Sequence, residues 1–146
     1  MIAQKDREVA VEDFATALGL LVRRIRAGTP LEFQEFSWTQ QAVLRRLEKH
    51  GPTTAADLAR AEGVRPQSMG TALGLLEKMR LVERKAHPTD GRQINIKLTA
   101  RGITLRRNTK AATHAWLSRA IAELDRQEQT TLFKAGELFK RMAEKS

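Results

Sequence analysis

Two short strand-like runs flank a turn past the middle of the chain, and they constrain the fold more than any other feature of the sequence. The runs cover residues 82–85 and 93–98, and the turn between them carries Pro88, Asp90-Gly91 and Arg92. Proline and an Asp-Gly pair between two β-prone runs are typical of a β-hairpin. The sequence therefore predicts a hairpin with a cationic tip.

Three segments with helical periodicity and short turns lead into this hairpin. Ser37 and Gln40 match a capping box at the start of the first segment, and Thr54 caps the second. Gly63 closes the second segment, and Pro66 stands at the first position of the third. Three helices followed by a hairpin are the order of elements in a winged helix-turn-helix, which is a DNA-binding fold.

Further amphipathic helices are expected on both sides of this region. Apolar residues recur at spacings of three and four over residues 8–26, and residues 28–30, Gly-Thr-Pro, end that helix. After the hairpin, Thr99 caps a long helix over about residues 100–124, and Asp125 caps the last one. The predicted fold is mainly α-helical, with a small β-hairpin wing.

The balance of charge favours an anionic partner. The chain has 26 Lys and Arg against 17 Asp and Glu, which gives a formal net charge of +9. Such a surface attracts nucleic acid, with anionic membrane as the rival partner. No apolar run approaches the roughly 20 residues needed to span a bilayer, and residues 1–8 do not resemble a secretory signal. We therefore expect a cytoplasmic protein that binds double-stranded DNA and no membrane.

The third predicted helix has a face suited to the major groove. Its apolar stripe consists of Met69, Ala72, Leu73 and Leu76. Its opposite side is polar and small, with Gln67, Ser68, Gly70, Thr71, Gly74 and Lys78. Gln67 can bond adenine through N6 and N7, Thr71 can touch a thymine methyl group, and the amides of the first turn can bind phosphate. The alternative is a surface helix whose polar face meets only water.

The hairpin tip suits a different groove. The minor groove of A·T-rich DNA is narrow and electronegative, so it attracts an inserted arginine, and Arg92 is the candidate. Asp90 lies close enough in sequence to accept hydrogen bonds from that guanidinium and to hold it extended. Ordinary turn chemistry is the alternative. Arg84, Lys85 and Lys97 on the hairpin arms are predicted phosphate contacts, with a solvated charged face as the alternative.

Together these motifs resemble the winged-helix repressors of the multiple antibiotic resistance regulator (MarR) family. The resemblance is carried by residues 39–47, 54–59, 76–77, 81–84, 87–92 and 98–102. It covers almost the whole chain, because the outer helices match the family's dimerisation elements. It implies that the helix from Pro66 is the recognition helix, that Arg92 is the wing-tip arginine and that Asp90 is its partner. The implied function is transcriptional control, usually repression relieved by a small ligand.

The chain departs from the family pattern at two places. Gly70-Thr71 replaces a frequent Thr-Arg pair in the recognition helix, so Arg65 or Gln67 is expected to take more of the base-reading work. Arg80 stands where the family usually has the glycine that ends this helix. A left-handed arginine would cost on the order of 1 kcal/mol, which favours a differently built helix end.

The resemblance also implies how the chain is organised. Residues 1–35 would hold an N-terminal dimerisation helix and linker, residues 36–99 the winged helix-turn-helix, and residues 100–146 the C-terminal dimerisation helices. A two-fold dimer would bury the outer apolar stripes and set two recognition helices about one DNA turn apart, on a pseudo-palindrome. The alternative is that the outer helices fold back on their own domain.

Family members often bind aromatic carboxylates, so a small-molecule effector is a further expectation. Phe36, Trp38 and Trp116 are candidate lining residues, and Arg23 is a candidate partner for an anion. Phe33 and Arg24 are further candidates for these two roles. Aromatic residues at helical spacing are more often part of a core, which is the competing interpretation.

An enzyme is not expected. The three histidines, at positions 50, 87 and 114, have no metal-ligand spacing, and the chain has no cysteine. There is no Gly-rich phosphate loop and no nucleophile elbow, so neither a metal nor a cofactor is predicted.

Two other binding proteins remain as alternatives to a sequence-specific regulator. The first is an architectural DNA-binding protein with little sequence specificity, which would keep the basic wing and the dimer. The second is a winged-helix module that binds protein and has no affinity for DNA, which the net charge disfavours.

Overall fold

The computed structural model describes residues 4–145. The first three residues, on which the expectation about a secretory signal partly depends, lie outside that range. In order, the elements are α1 (Gln4–Ala27), α2 (Leu31–Gln34), α3 (Trp38–His50), β1 (Thr53–Thr54), α4 (Ala55–Glu62), α5 (Pro66–Lys78), β2 (Val82–Ala86), β3 (Ile94–Leu98), α6 (Ala100–Ala122) and α7 (Arg126–Glu144). The predicted helices and both hairpin strands are confirmed, whereas α2 and β1 were not predicted.

The chain divides into two compact units. The winged-helix unit spans Thr29–Ala112, and the helical unit combines the chain up to Gly28 with the chain from Thr113 onward. Helix α6 is continuous and contributes residues to both units. The predicted boundaries at residues 35 and 99 concern roles along the chain rather than packing, and they stay predictions.

The winged-helix unit surrounds one apolar core. Its strands form an antiparallel sheet in the order β1-β3-β2, with Thr53 opposite Ile96 and Val82 opposite Leu98. The side chains with no measurable exposure come from three helices and the start of the hairpin: Val43, Leu44, Leu58, Met69, Leu73, Leu76 and Leu81. The sheet therefore closes one side of the three-helix core, as in a winged helix.

Local capping bonds explain where the helices begin. The Ser37 hydroxyl accepts from the Gln40 amide at 3.2 Å, and the Gln40 side chain accepts from the Ser37 amide at 2.8 Å. Thr54 caps α4 by accepting from the Asp57 amide at 3.1 Å. These bonds satisfy amides that have no partner within the helix. The caps predicted at Ser37 and Thr54 are confirmed.

The end of α5 corrects one expectation. Arg80 does adopt the left-handed conformation, with φ of 59°. Its amide donates to the Glu77 carbonyl at 2.9 Å, and the Leu81 amide donates to the Leu76 carbonyl at 3.0 Å, which is the Schellman pattern. The Thr99 hydroxyl also donates to the Arg80 carbonyl, at 2.5 Å. The expected difference in the helix end was wrong, because these bonds offset the cost of an arginine in that conformation.

Helix α6 starts in close contact with this turn. The Thr99 hydroxyl accepts from the Gly102 amide at 3.1 Å, which confirms the predicted cap. A Cβ atom at Gly102 would overlap the carbonyl oxygen of Leu81 and would lie 3.2 Å from a methyl carbon of Leu98. Glycine is therefore required here by space, and it lets α6 pack directly on the backbone at the start of the hairpin.

The apolar side chains of the helical unit are much more exposed than those of the winged-helix unit. Phe14 of α1 packs against Phe139 of α7, with ring centres 5.7 Å apart. An apolar groove between these helices is lined by residues that include Leu18, Leu21 and Leu132. Within the described residues, neither α1 nor α7 contains a single buried residue.

Candidate nucleic-acid interface

The start of α5 is open and rich in donors. Arg65 is the N-cap residue and makes no capping bond through its side chain, and Pro66 has no N–H group. The first bond of the helix runs from the Met69 amide to the Arg65 carbonyl, at 3.0 Å. The amides of Gln67 and Ser68 precede that bond, so they point out of the helix start. An anion placed there would meet two N–H groups and the positive end of the helix dipole.

The two faces of α5 differ as the sequence predicted. The side chains of Met69, Ala72, Leu73 and Leu76 are buried, whereas those of Arg65, Gln67, Ser68, Thr71 and Lys78 are exposed. A Cβ atom at Gly70 would meet nothing within 4 Å. The exposed face of α5 therefore carries no bulky side chain at Gly70, which would let the helix backbone come close to the base edges in a DNA groove.

Thr71 is partly committed to its own helix. Its hydroxyl donates to the Gln67 carbonyl at 3.2 Å. The hydroxyl hydrogen is thus used locally, which leaves the methyl group, and the hydroxyl oxygen as an acceptor, to meet a base. This geometry is compatible with the thymine contact that the sequence predicts.

The turn of the hairpin, residues 87–93, brings Asp90 and Arg92 together in a way that the sequence did not predict. The Asp90 carboxylate accepts from the backbone amide of Arg92 at 3.0 Å, and the Gln93 amide donates to the Asp90 carbonyl at 3.0 Å. Among the described residues, this carboxylate contacts the Arg92 main chain and not its guanidinium. Asp90 therefore orders the backbone that carries Arg92, and the Arg92 side chain is exposed at the tip.

The cations on the hairpin arms have acidic neighbours. Arg84 pairs with Glu77 at 3.1 Å, and Lys97 pairs with Glu83 at 3.2 Å, while Lys85 lies 3.9 Å from Glu83. These predicted phosphate contacts are thus part of exposed ion pairs. Such pairs are worth about 1 kcal/mol or less, so a phosphate can compete for the cation. The sequence missed the pairs of Arg84 and Lys97 because their partners lie on a different element or on the facing strand, whereas Lys85 and Glu83 share β2.

The candidate effector residues lie in different settings. Phe36 is 2% exposed and packs edge to face on Phe33 with ring centres 5.6 Å apart, so it belongs to the core. Trp38 is 62% exposed at the start of α3. Arg23 is exposed and Trp116 is half-buried, both in the helical unit. An effector site built from these residues stays a prediction.

A buried cation in the winged-helix unit was not predicted. Arg106 of α6 is 9% exposed, donates to the Glu48 carboxylate at 2.6 Å, and lies over the Phe33 ring at 5.8 Å from its centre. Burial, and next the neighbouring Arg106 cation, lower the pKa of Arg45. These contacts tie α6 to α2 and α3. They also explain why the aromatic residues near position 33 serve the core.

Two kinds of feature are absent from residues 4–145. No group of three or more His, Asp and Glu side chains has the arrangement to hold a metal ion. None of the helices is both long enough and apolar enough to cross a membrane.

Comparison with known proteins identifies the family. Residues 36–94 match the sequence model described as the MarR family. An HTH-type transcriptional regulator of Mycobacterium bovis, named as uncharacterised, is 32% identical over 134 residues, which cover 92% of each sequence. A protein of Mycobacterium tuberculosis named as an HTH-type transcriptional repressor is 37% identical over 102 residues, or 70% of this chain and 68% of that protein.

A solved structure supports the same assignment. The crystal structure of RV1404 from Mycobacterium tuberculosis is similar to this chain with a TM-score of 0.83 and 26% identity, over 97% of both chains. The match extends through the outer helices as well as the winged-helix unit. The chain therefore belongs to the MarR family of winged helix-turn-helix transcriptional regulators, which are DNA-binding proteins and not enzymes.

Proposed function

We propose that the protein is a homodimeric repressor that binds a pseudo-palindromic operator. Helix α5 would enter the major groove, and the hairpin would reach the adjacent minor groove. The observation that carries this proposal is the exposed start of α5, where free amides and polar side chains stand on a fully buried apolar stripe. Because its apolar stripe is fixed in the core, the helix presents its polar face in one orientation, as the recognition of bases requires.

Base reading would fall mainly to Gln67. Its carboxamide can bond both N6 and N7 of adenine, and such a bidentate contact is worth about 1 to 3 kcal/mol of discrimination. Thr71 would add a methyl contact, while the amides of the first turn, Arg65 and Lys78 would bind phosphate. With no long side chain at positions 70 and 71, readout by this helix would depend on close approach of its backbone.

The wing would anchor the flanks of each half-site. Arg92 is exposed on a turn that Asp90 orders, so its guanidinium is available to a narrow, electronegative minor groove. Arg84, Lys85 and Lys97 would exchange their carboxylate partners for phosphate. Because these three contacts would be to phosphate, their contribution to affinity would fall as the salt concentration rises.

The dimer would be formed by the helical unit. Helix α1 leaves large apolar side chains exposed along its length, including Val11 at 61% and Leu20 at 57%, and α7 leaves Met142 exposed at 65%. A second copy of the chain would cover these residues, and regulators of this family are typically dimers. Repression is favoured by the relative named as a repressor. Relief by an aromatic or anionic ligand remains the expectation taken from the family.

An architectural DNA-binding protein is the second candidate, because Gly70-Thr71 offers no long base-reading side chain. It would bind all duplexes through their phosphates. A specific regulator should instead prefer one palindrome over random DNA by roughly 10³ or more at physiological salt.

Arg92→Ala tests the wing directly. Removal of a minor-groove arginine should cost about 1 to 3 kcal/mol of operator binding, with loss of preference for A·T at the flanks. Fluorescence anisotropy with A·T-flanked and G·C-flanked duplexes measures both effects. Arg107→Ala removes another exposed cation, from α6, and serves as the matched control. Equal affinities for Arg92→Ala and the parent protein would contradict the assignment of the wing.

A further inference from the structure

The side chain of His87 accepts hydrogen bonds from backbone amides within the turn at the tip of the hairpin. The Nδ1 atom of His87 accepts from the Asp90 amide at 3.1 Å and from the Thr89 amide at 3.2 Å, and the Thr89 hydroxyl lies 3.3 Å away. The His87 amide donates to the Gln93 carbonyl at 2.9 Å, which closes the turn across its base. The side chains of His87 and Asp90 are half-buried, whereas the other residues of the turn are exposed.

These bonds fix the chemical state of the ring. A backbone amide can only donate, so Nδ1 must be an acceptor and the ring proton must reside on Nε2. The neutral ring is therefore the form that fits the turn, and an imidazolium, which donates from both nitrogens, does not fit it.

Two successive hydrogen bonds link His87 to Arg92 at the tip of the hairpin. The ring binds the amide of Asp90, and the carboxylate of Asp90 binds the amide of Arg92 at 3.0 Å. Between them, the two side chains bind the backbone amides of three turn residues: Thr89, Asp90 and Arg92. A Cβ atom at Gly91 would meet nothing within 4 Å, so side-chain packing does not restrain that position. The order of this turn thus depends on side-chain acceptors as well as on the backbone bonds between His87, Asp90 and Gln93.

We infer that His87 is a positioning residue for DNA binding, which acts by holding the turn that presents Arg92. The inference rests on the proposed function, because it requires that the wing tip contacts DNA. A turn ordered before binding avoids part of the entropy cost of fixing Arg92 in the minor groove. Loss of the Nδ1 acceptor should therefore weaken operator binding although the ring itself need not touch DNA.

Two substitutions separate the acceptor from the ring. His87→Phe keeps a planar ring and removes the acceptor, whereas His87→Asn removes the ring and keeps an oxygen acceptor at the δ position. We expect His87→Phe to lower operator affinity about tenfold, and His87→Asn to stay within about twofold of the parent protein. In the Arg92→Ala background, His87→Phe should cause little further loss, because the residue it positions is gone.

The state of the ring can also be measured without DNA and without a variant. Nitrogen NMR of the free protein, at a pH at which the ring is neutral, should place the ring proton on Nε2. A proton on Nδ1 would overturn the inference, whatever the binding data. Melting temperatures of the variants, compared with that of the parent, show whether any loss of affinity comes from unfolding.

The binding experiment distinguishes two failures. If Arg92→Ala binds as well as the parent, the proposed role of the wing fails, and the inference about His87 fails with it. If Arg92→Ala binds weakly while His87→Phe binds normally, the wing contacts DNA but His87 does not position it. Equal losses for His87→Phe and His87→Asn would mean that the Nδ1 acceptor is not the important group, and would also overturn the inference.

Discussion

The winged-helix unit and the helical unit differ in how completely their apolar residues are covered. Leu44, Leu73 and Leu76 in the winged-helix unit have no measurable exposure, while Phe133 on α7 is 58% exposed. Buried positions on α6 end at Thr109, close to where the helix passes from one unit to the other. One unit thus completes its core within a single chain, and the other leaves many of its apolar residues exposed.

This difference assigns separate tasks to the two units. The winged-helix unit, whose core is fully covered, carries the proposed DNA-binding surface. That surface must be rigid to discriminate between DNA sequences. The helical unit would join two copies of the chain and thereby set the distance between their two recognition helices. Full burial of one large aliphatic side chain is worth about 1.5 to 3 kcal/mol, so the exposed residues of α1 and α7 are a sufficient source of dimer stability.

The largest effect is expected from a charge placed in the helical unit. Leu18→Glu puts a carboxylate in the groove between α1 and α7. We expect a monomer by sedimentation at micromolar concentration and a loss of about 10³-fold in operator affinity, because two linked half-site contacts become one. Thr104→Glu adds the same charge at an exposed position of α6 within the winged-helix unit and should remain dimeric. A Leu18→Glu protein that is still a dimer would contradict the division of tasks.

The next effect concerns the winged-helix unit alone. Gly102→Ala forces a methyl group onto the backbone at Leu81, and relief requires that α6 shifts away from the hairpin. We expect a loss of about 3 kcal/mol in the free energy of unfolding, measured by denaturant titration. Gly74→Ala on α5 meets no neighbour and should stabilise the protein by about 0.5 to 1 kcal/mol. Equal stability of the two variants would show that α6 does not pack tightly at this point.

The smallest effect should be confined to sequence preference. Gln67→Ala is expected to cost about 1 to 3 kcal/mol at one central position of each half-site, with oligomeric state and melting temperature unchanged. Binding to a panel of single-base operator variants measures it, and Gln127→Ala on α7 is the control. A uniform loss over the whole panel would mean that Gln67 contacts only the DNA backbone.

Features encoded by neighbouring residues were predicted well from the sequence. The capping boxes at Ser37 and Asp125 form as expected, because each needs only two residues three positions apart. The inner stripe of α5 follows from helical periodicity in the same way. Features that depend on distant residues were missed. Strand β1 exists because Thr53 meets Ile96 across the sheet, and two threonines before a helix indicate no more than a cap.

The candidate site shows the same limit. The sequence identified the turn and its arginine, but the partner of the Asp90 carboxylate depends on how the turn closes, and the structure places the Arg92 amide there. The pairing of Arg84 with Glu77 depends on the angle between α5 and β2, which no local pattern specifies. For His87 the sequence showed only the lack of metal-ligand spacing, because a histidine that binds backbone amides has no sequence signature.

Selection of bound sequences from a pool of random duplexes, at about 150 mM salt, tests the central claim most directly. A dimer with two reading helices should enrich an inverted repeat whose half-sites lie about 10 base pairs apart, with A·T-rich flanks under the wings. Retention of DNA without an enriched motif would contradict a sequence-specific regulator and would support the architectural alternative.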